Sequence, residues 1–184
     1  MANKDASFGL RLYSAGGGAA PANLQNKYRI ASSYGTAIFQ GDLVKVVTAG
    51  TILGVFNGCR YTDPTTSKET FSNSYPGSIA ASDIEAIIID APLARFEIQA
   101  DDTFPVADLF GNFDIVDQSP VGDTSSGISR MELDVTTGAT TGTLPLKALD
   151  ISQDPENSDV SSANTNVVVI INNHLYAAGT AGLA

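Results

Sequence analysis

The stretch that decides the fold is Thr36 to Asp63, TAIFQGDLVKVVTAGTILGVFNGCRYTD. Two apolar, largely β-branched runs, Leu43 to Val47 and Ile52 to Phe56, stand either side of a short Thr-Ala-Gly-Thr segment centred on Gly50. Branched side chains are stiff at χ1 and pack well on a pleated surface, so the runs predict two strands and the glycine between them a hairpin turn. Glycines recur at 41, 50, 54 and 58, where bulges or close approach of another backbone would suit them. No acid, base or nucleophile is assembled here, so the stretch reads as framework.

Toward the C-terminus, strand-like runs recur at turn-separated intervals, the pattern of a sandwich or barrel. They are EAIIID (85–90), ARFEIQA (94–100), NFDIVD (112–117), RMELDV (130–135), LPLKALDIS (144–152) and VVVIIN (167–172). Alternation in ARFEIQA predicts Phe96 and Ile98 inward with Arg95, Glu97 and Gln99 outward; RMELDV repeats it with Met131, Leu133 and Val135 inward. Val167 to Ile171 lacks alternation and predicts a strand covered on both faces. Ala91-Pro92 predicts a turn, Val106 to Phe110 a short helical turn, and residues 63–82 and 153–166 long polar loops, the first a contact loop.

Toward the N-terminus the pattern fades. Residues 1–30 are rich in Gly and Ala (Ala15-Gly16-Gly17-Gly18-Ala19-Ala20-Pro21) and predict an extended arm, with the glycines as a flexible joint. Ordering such a segment costs on the order of 1–2 kcal/mol per residue, so the arm is expected to be mobile unless Phe8, Leu10, Leu12 and Tyr13 dock on something. Residues 31–184 are then one all-β domain, a compact β-barrel or β-sandwich. A chain of 184 residues is long enough to bury a core without staples.

Charge and composition narrow the function. Through Thr62 there are six basic and two acidic residues, a balance of +4; the remainder has four and eighteen, a balance of −14, for a total of −10. An acidic chain works against phosphate backbones, so no nucleic acid is expected as partner. Its surface charge serves solubility, and its basic first third could dock on an acidic neighbour. No apolar run approaches membrane-spanning length and no secretory signal opens the chain, so a soluble protein made in a cytoplasm is expected, with no membrane partner. The single Cys59 cannot form an intramolecular disulfide and reads as a small buried hydrophobe.

The search for chemistry returns little. His174 is the sole histidine and reads as a surface or capping residue rather than a zinc ligand or the partner of a Cys59 nucleophile. Nucleophile-elbow, phosphate-loop and dinucleotide motifs are absent. The acidic segment 150–159 lacks the calcium-loop order and carries Pro155 in its middle. Asp101-Asp102 and Asp114 with Asp117 could be imagined as glycosidase carboxylates, but Trp, the strongest sugar platform, is absent. No enzyme activity, cofactor or metal is expected.

One resemblance covers about residues 28–117. The order SSYGTAIFQGDLV (32–44), GVFNGCRYTD (54–63), a loop with Tyr75, Pro76 and Gly77, then Ile89-Asp90-Ala91-Pro92 and Phe96-Glu97-Ile98-Gln99-Ala100-Asp101, resembles the capsid decoration (cement) proteins of tailed bacteriophages, particularly marine ones. LKALDISQDPEN (146–157) and VVVIINNH (167–174) follow more loosely, and Ala91 stands where an acidic residue is more usual. The resemblance implies a non-enzymatic virion protein on the outer capsid surface, often a homotrimer at threefold or quasi-threefold positions, with the major capsid protein as partner. On this view Phe8, Leu10, Arg11, Leu12, Tyr13, Lys27 and Arg29 are the expected capsid contacts, ordering as the arm binds. Two rivals share the profile: a head-tail connector or tail component, and a glycan-binding jelly roll with Tyr61, Phe71 and Tyr75 as its loop aromatics.

Overall fold

The computed structural model describes residues 2–16, 24–47 and 51–177, and for residues 118–120 the backbone alone. Eleven strands are described: β1 (Arg11–Ser14), β2 (Gln25–Arg29), β3 (Leu43–Lys45), β4 (Ile52–Thr62), β5 (Glu69–Ser72), β6 (Glu85–Ile89), β7 (Arg95–Gln99), β8 (Asn112–Asp123), β9 (Ile128–Ala139), β10 (Leu146–Ile151) and β11 (Asn166–Ile171). Among the described residues one 3-10 turn, Val106–Asp108, falls where the short helical segment was expected. The protein is all-β, and among the described residues no helix is long and apolar enough to cross a membrane.

Two antiparallel sheets make the body. The first has the order β1-β7-β11-β10-β8-β9; the second has β2-β6-β4-β3, with β5 also pairing β4. The first sheet curls, because Ala100 at the end of β7 bridges Leu133 on β9 and the Asp101 amide donates to the Leu133 carbonyl at 3.1 Å. Its concave side holds the main core, where Phe96, Ile98, Phe113, Leu133, Leu146 and Val169 are wholly buried. The second sheet closes this core with Ile52, Val55 and Ile89, and on its other face Leu53, Phe56, Cys59, Tyr61, Tyr75 and Ile84 form a second cluster.

The predicted hairpin is β3 with the first half of β4, Leu43 opposite Val55; its turn at 48–50 lies outside the described residues. β4 then runs on through a bulge at Phe56/Gly58 to pair with β6 and β5. Gly54 is there for close approach, since a Cβ would lie 2.2 Å from the Ile89 carbonyl oxygen of β6. Gly41 has φ +98° and would bring a Cβ to 2.8 Å from the Phe8 carbonyl oxygen. β11, the non-alternating run, lies between β7 and β10 with Val167, Val168, Val169 and Ile171 buried.

Four expectations need correction. Residues 1–30 do not stand apart as an arm in their described parts: β1 pairs with β7, β2 pairs with β6, and Leu10 and Leu24 are 3% and 1% exposed in the main core. The reason is local alternation too short to register, Leu10 and Leu12 inward with Arg11 and Tyr13 outward, on a strand that finds an open sheet edge. The glycine joint at 17–18 and Pro21 lie outside the described residues. Glu97 and Gln99 face away from the main core as expected, yet they are buried rather than solvated. The loop 63–82 contains β5, and the strand expected at 112–117 extends to Asp123.

Candidate functional site

The two groups of sequence-predicted contact residues occupy different sheets. Arg11 and Tyr13 are on β1, the terminal strand of the first sheet; Lys27 and Arg29 are on β2, the terminal strand of the second. Tyr13 is half exposed, whereas Leu10 belongs to the core and Leu12 packs against it, so both leucines serve their own domain. The Phe8 ring is half-buried beneath the Arg11 guanidinium, 4.6 Å from carbon to ring centroid. Lys27 approaches Glu85 at 3.5 Å, and Arg29 donates to the Ser82 carbonyl at 3.0 Å.

Around β2 the charges form a ladder across four strands. Lys27 on β2 meets Glu85 on β6, Glu85 takes Arg60 of β4 at 2.6 Å, and Arg60 takes Glu69 of β5 at 2.7 Å. The Arg60 guanidinium holds the Glu85 carboxyl below the usual range. Each such pair is weak alone at an exposed position, but the ladder fixes the charges of this face in a set order. Phe71, opposite Arg60, stands exposed beside it.

Around β1 the arrangement is different in kind, because the polar groups are buried. Glu97 is 5% exposed; its Oε2 accepts from Arg11 Nη2 at 2.5 Å and Nε at 3.1 Å, while its Oε1 accepts from Ser152 Oγ and, at 3.4 Å, from Asn166 Nδ2. Gln99 is 1% exposed; it accepts the Ala6 amide at 2.9 Å and donates to the Lys4 carbonyl at 2.9 Å. Asn157 donates to the same Lys4 carbonyl at 2.8 Å and to the Asn164 carbonyl at 2.8 Å. Asn3 completes the seam: its Nδ2 reaches the Asp159 and Ala163 carbonyls at 2.9 Å each, and its Oδ1 accepts the Asp159 amide at 3.1 Å. Sequence reading missed this seam because Glu97 and Gln99 carry the pattern of solvent-facing residues, and their partners lie more than 50 residues away in either direction.

A groove of about 580 Å³ runs between the N-terminal segment and the β8–β9 turn, lined by Asp5, Phe8, Asp101, Asp123, Arg130 and Glu132 among others. Two of its carboxylates are tied to local structure. Asp101 Oδ1 accepts the Val135 amide at 3.0 Å, and Asp123 Oδ1 accepts the Ser125 amide and hydroxyl at 2.9 and 2.7 Å. Those bonds hold the Asp123 carboxyl down at about 2. Among the described residues no group of three or more His, Cys, Asp or Glu is placed to hold a metal ion. In the segment 150–159, Asp154 accepts the Glu156 amide at 3.0 Å and Asp159 the Ser161 amide at 3.0 Å.

The remaining chemical candidates are held by the fold. Cys59 is 1% exposed, its thiol points at the Ser74 carbonyl at 3.5 Å, and burial pushes it up to about 11, against nucleophilic use. His174 is fully buried rather than at the surface; its Nδ1 accepts the Tyr176 amide at 3.0 Å, a capping role, and burial lowers its pKa. Next to it Asp90, 3% exposed, accepts from Tyr28 Oη and from Asn26 Nδ2 at 2.9 Å, and the Tyr28 and Tyr176 hydroxyls are 2.8 Å apart. Burial and Asp90 raise the Tyr28 pKa, so its proton stays on oxygen. Of the aromatics expected for glycan binding, Tyr61 and Tyr75 are core residues and Phe71 alone is exposed. Comparison with protein-family models, curated proteins and solved structures returns no match to this chain.

Proposed function

We propose that this protein is a non-enzymatic component of a tailed-bacteriophage head, binding the outer surface of the major capsid protein shell as a homotrimer and stabilising it. The observation that carries the reading is where the resembling segments lie. Residues 32–44, 54–63 and 89–101 supply β3, β4, the β6–β7 turn and β7, which are the framework strands of both sheets. A resemblance concentrated on framework strands is what a family selected for rigid bridging would leave.

Tyr13, Lys27 and Arg29 are the docking contacts on this reading, since they are exposed at two open sheet edges within the basic third of an acidic chain. Three protomers engaging equivalent sites turn modest contacts into strong retention by effective concentration. The test is a cryo-EM map of the particle carrying the protein. Density on the outside of the shell, in hundreds of copies, is expected; density confined to a connector ring or the tail would contradict it. Occupancy of expanded heads by a Tyr13→Ala, Lys27→Ala, Arg29→Ala variant checks the contacts: a fall of tenfold or more is expected, about 1.4 kcal/mol, and unchanged occupancy removes those residues from the interface.

A further inference from the structure

We propose that Asp42, Asp117 and Ser129 form a binding site for one hard divalent cation, Ca2+ or Mg2+, between the turn that enters β3 and the β8–β9 hairpin. The observation that points to a ligand is the Asp42 carboxylate. Asp42 is 6% exposed; its Oδ2 accepts the Phe39 amide at 2.8 Å, and its buried Oδ1 has no hydrogen-bond partner among the described residues. A buried carboxylate oxygen left unpaired is costly, and a proton or a cation removes the cost. The carboxylate is also held in place. The Gly41 amide donates to the Phe56 carbonyl and the Phe56 amide to the Asp42 carbonyl, both at 2.9 Å, while the Asp42 amide donates to the Phe39 carbonyl at 3.0 Å.

The register of the hairpin places the second carboxylate. The Leu43 amide, next in the chain to Asp42, donates to Met131 Sδ at 3.4 Å, and Met131 on β9 stands directly opposite Asp117 on β8. Opposed residues of an antiparallel pair share a face, as do residues two apart on one strand, so Asp117, Met131 and Ser129 all face the turn. The Phe39 ring packs there too: a Cβ at Gly122, opposite Ser129, would lie 2.2 Å from it. The Ser129 hydroxyl lies beside the Asp42 carboxylate, Asp117 repels it, and among the described residues no Lys or Arg offsets that repulsion. Burial pushes the Asp42 carboxyl up, as expected of a charge short of a counter-ion. Two carboxylates and a hydroxyl are hard oxygen donors, suited to Ca2+ or Mg2+ rather than to zinc or copper. Asp117 is exposed, so waters can complete the coordination from its side. Bound there, the ion ties the turn that feeds the second sheet to β8–β9 of the first. The site asks for no capsid, so it stands or falls apart from the proposed function.

The experiment titrates EDTA-stripped, full-length protein with CaCl2 and, separately, with MgCl2, by calorimetry and by thermal melting, with NaCl of equal ionic strength as the control for screening. One ion per chain is expected from at least one of the two salts, with Tm raised by about 5 °C or more at roughly 100-fold above Kd. Asp117→Asn removes a charge at an exposed position and should weaken that binding by about tenfold or more. Asp102→Asn, exposed on a different loop, should leave it unchanged. Asp42→Asn keeps an acceptor for the Phe39 amide and should abolish the metal response, with Tm in EDTA unchanged or higher. Should that variant fail to fold, Asp117→Asn decides alone. Absence of binding by either ion at about 10 mM overturns the assignment and leaves Asp42 to a proton. Binding that Asp117→Asn leaves intact, or that Asp102→Asn weakens equally, overturns it as well.

Discussion

β7 is buried on both faces, and the two faces are buried for different reasons. Inward, Phe96 and Ile98 meet Phe113, Leu133, Val167 and Val169 in a core that asks only for apolar volume. Outward, Glu97 and Gln99 are closed in by the N-terminal segment and the loop 153–166, and each polar atom there needs a partner at a fixed position. Hydrophobic burial is non-directional and tolerates repacking, whereas buried hydrogen bonds are directional and costly to leave unmade. One strand thus separates a region that specifies stability from a region that specifies which piece of chain lies beside it.

Substitution on the inner face should have the largest effect. Phe96→Ala is expected to cost about 3–5 kcal/mol in denaturant unfolding, and Phe96→Leu much less, because volume rather than geometry is what the inner face lacks. Equal costs for the two would break the contrast. On the outer face the order inverts: Gln99→Leu preserves approximate volume but strips the Ala6 amide and Lys4 carbonyl of a partner, at about 1–3 kcal/mol. A neutral or stabilising Gln99→Leu would make both faces alike. Asn3→Ala should cost about 1 kcal/mol, and hydrogen exchange should quicken at the Asp159 and Asn166 amides while β10 stays protected.

The smallest expected effect is in pH dependence. Burial lowers the His174 pKa from its ordinary 6.5, so the native protein keeps it neutral and its contribution is whole above 6.5. That contribution is lost as pH falls from 6.5 toward the lowered native value. Carboxylates held low by local bonds, Asp63, Asp83, Glu85, Asp123 and Asp159, then follow below their ordinary range, Asp123 at about 2. Asp42 has the opposite sign, since burial raises its pKa and protonation relieves it. His174→Gln should therefore flatten the loss of urea midpoint between pH 7 and about pH 5; an unchanged slope would mean another group titrates there.

The same contrast explains what could be read from sequence. The hairpin at 43–56, the buried run at 167–171 and the inward residues of ARFEIQA were legible, because apolar periodicity records which face meets a core. Glu97 and Gln99 were placed on the correct face and given the wrong environment, because alternation reports direction and not what lies beyond. β1 was missed for a related reason: four residues, RLYS, in glycine- and alanine-rich surroundings gain their strand identity from the open edge of β7. The seam as a site was not legible, since Asn3, Gln99 and Asn157 come from three distant segments and share no local motif.

Hydrogen exchange by NMR on the dilute protein tests most directly whether the N-terminal segment is an integral neighbour of β7. The Leu10 amide, bonded to the Gly41 carbonyl at 2.9 Å, and the Ala6 amide, bonded to Gln99 at 2.9 Å, are the reporters. Protection within about tenfold of the β7 amides is predicted. Exchange of both at the rate of an unstructured chain would contradict the account and return residues 1–30 to a free arm.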